Sequence, residues 1–473
     1  MQIYEKRLNL DLVENTQDYI AQIKQENALL KSENLHLKQK VSDLEEKLSI
    51  LLSSTLLKDS HNSSLPPSTD FPASKAKRRR SLRKKSGRKT GGQAGHQGST
   101  LEFSGEPDEL VDLKTDYCRV CGEDLTGVSA HFHSRRQVFD VALPTVFCIE
   151  YRLYERLCSV CGTTNRADYP VEVKAPVQYG ELVHSLIAYF STGQYLPFFR
   201  LKKMFSDVFS LSLSEGTLGN SLVKMGQKAS LVCEEIQAEL LQSKVVGSDE
   251  TGCNVNGKNQ WIWVWQDTQN TLLKYSENRG SQTIQETWEA GLPQSVLVTD
   301  RWSAQLKTAS VDKQLCLAHL QRDAQYLIES EKDSFASEFK QWLAEVWQAK
   351  RESLEKDNAY AKADKVALDL EEKLNQMLLY HIDKEKCPKS HTFQKSMLKY
   401  KNYLLTTLYR LEVPPDNNAS ERAIRNVKVK QKVSGLFKSG QESFCHIRSV
   451  IDTAVKRSAN ILQTLRNIYK YAS

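Results

Sequence analysis

The chain has 473 residues, 40% of them hydrophobic and 26% charged, with a formal net charge of +7. That length exceeds one compact core and divides into roughly three or four units. No run approaches the ~18–20 apolar residues of a membrane span, and the amino terminus lacks the order of a signal peptide, so a cytoplasmic protein is expected, its ten cysteines being thiols or metal ligands rather than disulfides.

Residues 15–57 carry a heptad seam: Ile20, Ile23, Asn27, Leu30, Asn34, Leu37, Val41, Leu44, Leu48 and Leu51. Leucine at most d positions and asparagine at two a positions favour a two-stranded parallel coiled coil. Across such a homodimer Glu26 faces Lys31, Glu33 faces Lys38 and Lys40 faces Glu45, all attractive pairs. The alternative is a long helix packed on its own protein.

Residues 58–100 read as a flexible Pro/Ser linker followed by a basic, Gly-rich arm. Ten Lys or Arg and no acid fall between residues 75 and 89, so the rest of the chain is slightly acidic. Arg78, Arg79, Arg80, Arg83, Lys84, Lys85, Arg88 and Lys89 repel one another and suit a polyanion, nucleic acid first and an anionic membrane second.

Residues 101–175 contain Cys118-Arg-Val-Cys121-Gly122 and Cys158-Ser-Val-Cys161-Gly162. Two such knuckles can close a four-thiolate cage around a structural Zn²⁺, giving a zinc-ribbon-like module. The stretches 137–143 and 147–154 read as strands pairing between the knuckles, with Cys148 a plain buried residue. A redox pair or four unrelated thiols are the alternatives.

Residues 176–240 are helical by pattern, and the break near Ser210–Ser214 makes a helix-turn-helix-like pair, either a DNA reader or plain packing. An α/β unit then begins. Runs rich in valine end at Asp249 and at Asp300, which reads as two buried strands, each with a carboxylate at its carboxyl end. Between them, 260–266 and 271–276 read as strands and a helix starts at Ser281. Three strands, a helix and a further strand is the order of a ribonuclease-H-like sheet, spanning 241–328. Residues 329–412 are charged and amphipathic and read as a helical insertion, and 413–473 as a catalytic helix followed by helices that cover the sheet.

A third acid, Glu421, lies in Pro414-Pro-Asp-Asn-Asn-Ala-Ser-Glu-Arg-Ala423. Three carboxylates can hold two Mg²⁺ ions, which prefer hard oxygen ligands and can steady the attacking and leaving oxygens of a displacement at phosphorus. The plain readings are strand-end caps for Asp249 and Asp300 and, with Asn418 as N-cap, a capping box for Glu421. Glu250 and Asp416 are neighbouring acids that could be mistaken for ligands. After Glu421, Arg422, Arg425 and Lys428 are spaced by three and read as a phosphate track, or else as a solvated face. His319 could touch DNA or simply be packed.

The Asp-Glu-Thr-Gly at 249–252, Thr-Asp-Arg-Trp-Ser-Ala at 299–304, Cys-Leu-Ala-His-Leu-Gln-Arg at 316–322, the segment at 414–423 and Ser-Gly-Leu-Phe-Lys-Ser-Gly at 434–440 resemble the insertion-sequence-66 family of bacterial transposases. The resemblance implies a DDE enzyme that cuts and joins the DNA of element ends, at the bacterial nucleoid, with Asp249, Asp300 and Glu421 on two Mg²⁺ and small accessory proteins as partners. Where many relatives have Gly-Tyr after the second acid, this chain has Arg301-Trp302. A non-catalytic zinc-containing DNA-binding regulator and a nuclease of the same fold are the competing readings.

Overall fold

The computed structural model describes residues 24–42, 44, 101–141, 144–435 and 437–471; the basic arm lies outside them. Residues 24–42 form one helix, and every one of them is exposed, including Leu30, Leu37 and Val41 of the heptad seam, as is Leu44 beyond it. This part of the helix does not pack on its own protein.

The cysteine-containing region departs from the sequence reading. Its only strands among the described residues are β1 (Glu155–Leu157) and β2 (Thr164–Arg166), an antiparallel hairpin around the second knuckle. The expected strands at 137–143 and 147–154 are not formed by their described residues, and Cys148 is exposed rather than buried. Val138, Phe139, Phe147 and Ile149 are all exposed, so the apolar alternation finds no second layer to bury it, and alternation without burial does not hold a strand.

Four elements build the helical unit: α1 (Glu181–Ala188), a π-helical turn (Tyr189–Gly193), α2 (Phe198–Phe209) and α3 (Glu215–Leu241). Ser210 ends α2 in the left-handed region at φ 54°, and Ser214 caps α3 by accepting from the Thr217 amide at 3.0 Å. Ile187, Leu201, Phe205, Leu213 and Leu218 form the core of this corner. The 27-residue α3 then continues into the α/β unit, where Cys233, Ile236 and Leu240 join the core of the sheet.

The sheet contains β3 (Val245–Val255), β4 (Lys258–Gln266), β5 (Thr271–Ser276), β6 (Leu292–Thr299) and β7 (Ser310–Leu315), in the order β5-β4-β3-β6-β7. β3, β4 and β5 form an antiparallel meander, whereas β6 and β7 run parallel to β3. Asn256 and Gly257, both at positive φ, make the two-residue turn between β3 and β4 that this dipeptide favours. Helices α4 (Ser281–Thr287) and α5 (Ser303–Leu306) connect the later strands.

Alternation along the strands sorts the layers. Trp263 and Trp265 share a face with Trp288 and the end of α3, the two indoles on β4 stacking with centroids 5.8 Å apart. Ile262 and Val264 face the other way, toward Ala423 and Val427 of α11 (Asn418–Ser434) and Phe444 of α12 (Gln441–Lys456). α12 also covers the outer edge of β5: Ser449 Oγ accepts from the Leu273 amide at 2.8 Å and Thr453 Oγ1 from the Thr271 amide at 3.0 Å. The carboxyl-terminal helical segment is therefore two helices, α12 on the sheet and α13 (Ile461–Tyr471) against α1 and α3.

Between β7 and α11 lie α6 (Leu317–Glu331), α7 (Ser334–Glu355), α8 (Lys365–Leu379), α9 (Pro388–Lys399) and α10 (Thr406–Tyr409), which share a separate core around Phe335, Phe339, Trp342 and Met397. Two buried ties join this body to the sheet. Thr406 Oγ1 donates to the Lys313 carbonyl at 2.7 Å, and Gln314 Oε1 accepts from the Thr407 amide at 2.7 Å. Lys350 of α7, buried, donates to the carbonyls of Thr407, Arg410 and Leu411, fixing the segment that leads back to α11.

Candidate active site

Asp249 and Asp300 are neighbours across the sheet. β3 and β6 pair with Val245 opposite Val296 and Gly247 opposite Val298, so continuing that register sets Asp249 level with Asp300, one residue past the end of β6. β7 extends the row, because Thr299 opposite Leu315 sets Asp300 beside Cys316. Asp300 and Cys316 thus follow directly on the carboxyl ends of β6 and β7, whereas Asp249 stands within β3, which runs on to Val255 because its second half still pairs with β4, so the expected strand-end position holds for Asp300 and not for Asp249.

Alternation decides which of two consecutive acids enters the site. Gly247, Asp249 and Cys253 belong to the face covered by α11, whereas Val246, Ser248 and Glu250 belong to the tryptophan face. Glu250 there pairs with Arg279 at 2.5 Å and accepts from Gln305 at 2.6 Å, while the Arg279 guanidinium lies 3.8 Å from the Trp302 ring and 4.8 Å from Trp261. Glu250 is an internal counter-ion.

The third acid arrives on α11, which docks by a polar network. Asn417 donates to the Ser248 carbonyl at 2.7 Å and accepts from Ser420 Oγ at 2.7 Å, while its own amide donates to Cys316 Sγ at 3.2 Å. Gly247 is what lets the helix approach: a Cβ there would stand 2.7 Å from Ser420 Oγ and 2.8 Å from Asn417 Oδ1. The N-cap is Asn417 rather than Asn418, so Glu421 sits one position too late for a capping box, and its side chain goes elsewhere. Arg322 of α6 donates to Glu421 Oε1 at 2.8 Å. Asp416 does the local work instead, accepting from the Asn418 amide at 2.9 Å.

His319, on the first turn of α6, stands between the second and third acids: Nδ1 is 3.0 Å from Asp300 Oδ1 and Nε2 is 3.4 Å from Glu421 Oε1. Asp300 Oδ1 and His319 Nδ1 are buried against each other, and neither has another hydrogen-bond partner. Burial pushes Asp249 well above the usual carboxylate range, and the negative charges of Asp300 and Glu250 add to it. For His319 burial acts downward, but the Asp300 carboxylate and the Cys316 thiol outweigh it and hold the imidazole up at about 11. These are the marks of clustered negative charge short of cations, which suits a hard divalent ion among oxygen ligands.

The residues after Asp300 turn inward. Arg301 pairs with Asp323 and lies over the Phe393 ring at 5.1 Å, and Trp302 donates to the Arg279 carbonyl at 3.2 Å. On α11, Arg422 and Arg425 are exposed. Lys428 is half-buried and donates to the Gly252 carbonyl at 2.7 Å, so one of its donors is spent on β3.

The two cysteine knuckles form matching turns: Gly122 and Gly162 donate to the carbonyls of Cys118 and Cys158 at 2.9 Å, both glycines at positive φ. Backbone amides of Cys121 and Val120 hold the Cys118 thiol down at about 7, and Thr163 does the same for Cys161. No three of the four thiols approach one another within 4.8 Å; among the described residues that closeness is reached by Asp300, Cys316 and His319. All ten cysteines are free thiols. No described helix is long and apolar enough to cross a membrane.

A mixed α/β unit with helices on both faces of its sheet and acids gathered at one end fits the catalytic domain of a transposase. A family model for the IS66 family of transposases matches residues 176–443, more than half of the chain and all three acids, and the chain belongs to that family. It is accordingly a transposase, of a class of enzymes that bind DNA, cleave it and transfer strands. A second model, for a family of unknown function (DUF6444), matches residues 15–102, which hold the heptad seam, linker and arm. No curated protein matches the chain.

Proposed function

We propose that this transposase works by the DDE mechanism, on a ribonuclease-H-like sheet, with Asp249, Asp300 and Glu421 holding two Mg²⁺ ions against the DNA of element ends. The observation that carries the reading is the register of β3 and β6, which sets Asp249 level with Asp300 on one face while α11 brings Glu421 to the same imidazole that Asp300 touches. Asp249, Asp300 and Glu421 would be the residues that hold the ions, Asp249 being the one that would be shared between them. When bound, such ions lower the pKa of an attacking water and steady the attacking and leaving oxygens.

The remaining roles belong to side chains. Arg322 and His319 hold the Glu421 carboxylate toward Asp300 before any ion arrives. Asn417 and Ser420 set the depth of α11, and the exposed Arg422 and Arg425 carry the DNA backbone past the acids without reading bases. The arm at residues 75–89 adds sequence-independent affinity, the heptad helix pairs two copies in parallel, and Cys118, Cys121, Cys158 and Cys161 take a structural Zn²⁺ on folding of their module. Small accessory proteins of the same element are further partners.

The test is nicking of an element-end duplex with Mg²⁺. Wild type should nick and then join strands, while Asp300→Ala binds the duplex and leaves it intact. Nicking retained by Asp300→Ala, or binding without nicking by wild type, overturns the enzyme reading. DNA affinity should fall steeply with salt, and deletion of residues 75–89 should flatten that slope.

A further inference from the structure

We propose that Asp300, Cys316 and His319 form a second, softer metal site that takes Zn²⁺ and, by occupying Asp300, switches the transposase off. The ligand atoms of the three residues all lie within 4.8 Å of one another. Their convergence is built into the fold. Asp300 and Cys316 follow paired positions at the ends of β6 and β7, and His319 comes three residues later on the first turn of α6. A carboxylate, a thiolate and an imidazole are the donor set of Zn²⁺ and similar borderline ions, and Mg²⁺ has little use for sulfur or nitrogen.

The surroundings are those of a metal site as well. His319 Nε2 lies 3.4 Å from Glu421, which places a carboxylate behind the imidazole while Nδ1 lies 3.0 Å from Asp300. A carboxylate in that position fixes the tautomer of a ligating histidine and makes it more basic. Cys316 Sγ accepts the Asn417 amide at 3.2 Å, which fixes where the sulfur stands. Asp300 Oδ1 and His319 Nδ1 are both buried and face each other 3.0 Å apart, with no other hydrogen-bond partner for either. A zinc ion bound by these atoms would displace the thiol proton of Cys316 and the Nδ1 proton of His319, take Asp300 from the Mg²⁺ set and hold Glu421 through the imidazole.

The binding half of the proposal stands by itself, and the inhibitory half rests on Asp300 being a Mg²⁺ ligand as proposed above. The first experiment uses Co²⁺ as the probe and the full chain with Cys118, Cys121, Cys158 and Cys161 all changed to Ser, so that knuckle thiols cannot contribute. One Co²⁺ should bind per chain with a thiolate-to-cobalt charge-transfer band. The further change Cys316→Ser should abolish the band, and His319→Ala should weaken binding by about tenfold or more.

A band that survives Cys316→Ser, or no band at all in a folded chain, overturns the site. Should the quadruple variant fail to fold, the zinc content of the otherwise unaltered chain decides: it should fall by one ion per chain on Cys316→Ser, and an unchanged content overturns the site. For the inhibitory half, micromolar Zn²⁺ added to Mg²⁺-driven nicking should inhibit wild type, with the Zn²⁺ needed rising about tenfold or more in Cys316→Ser. Zinc that binds at Cys316 without slowing nicking overturns the switch and leaves the site. A chain that binds Co²⁺ there but never nicks DNA overturns the DDE reading instead.

Discussion

Asn417 donates its side-chain amide to the carbonyl of Ser248 across 2.7 Å, and that bond sets the distance between the helix bearing Glu421 and the strand bearing Asp249. Both residues are buried, so the bond is shielded from water and its loss is not compensated.

Gly247 is the place to test this docking. Alanine there would drive a methyl against Asn417 and Ser420, and against Gln266 more closely still. Overpacking of this kind costs roughly 1–3 kcal/mol, and displacement of about 1 Å at a reacting centre costs on the order of 10²-fold in rate. Gly247→Ala should lower the thermal midpoint and reduce nicking by about 10²-fold at temperatures where it stays folded. Full nicking activity in a folded Gly247→Ala chain would show that α11 can shift without consequence.

Asp249 gives the chain a pH signature in the absence of divalent ions. Its folded pKa lies above its unfolded one, so as the pH climbs past about 4 the unfolded state releases its proton first and stability falls. Asp249→Asn removes that loss. Thermal unfolding in chelator should therefore show the variant gaining on wild type between pH 4 and pH 7, and Mg²⁺ should narrow the gap by binding the folded wild type. A gap that does not change with pH would mean that the carboxyl is not held in its protonated form.

Glu250 should behave oppositely to its neighbour. Glu250→Gln strips Arg279 of its counter-ion, but Arg279 keeps 39% of its side chain open to water, so the cost is on the order of 1–2 kcal/mol rather than the full value for a buried pair. Chemical denaturation should register that loss while nicking stays within about tenfold of wild type. Loss of nicking from a folded Glu250→Gln chain would assign this acid to the metals.

Arg322 is a positioning residue for Glu421. Arg322→Ala should lower kcat for nicking by about 10–10²-fold and leave KM for the duplex nearly unchanged, because the guanidinium orients a ligand rather than binding DNA. Arg322→Lys should restore only part of the rate, since an ammonium lacks the planar fork. A rise in KM with kcat intact would place Arg322 on the DNA instead.

Much of the site could be read from local patterns, because valine-rich runs predict strands leading into Asp249 and Asp300, although β3 continues past Asp249 to Val255, and the segment 414–423 predicts a helix start. β7 was not legible: Ser310-Val-Asp-Lys-Gln-Leu315 is polar, and its buried polar side chains Lys313 and Gln314 are accommodated beside β6 by partners in Ser310 and in the insertion. The role of His319 stayed open between packing and contact, since a Cys-x-x-His spacing says nothing about what faces it.

What the sequence by itself determined is what depends on residues close in the chain: the heptad seam, the cysteine knuckles, the valine-rich strands leading into Asp249 and Asp300, and the helix bearing Glu421. Only the tertiary structure decided that Glu250 turns to Arg279 on the face opposite Asp249, that Glu421 reaches His319 and Arg322 instead of closing a cap, and that Cys316 stands beside Asp300. Those outcomes turn on strand register and on which face another layer covers. Register is a relation between segments some fifty residues apart, and it is chosen by the burial of whole faces at once rather than by any residue's own preference.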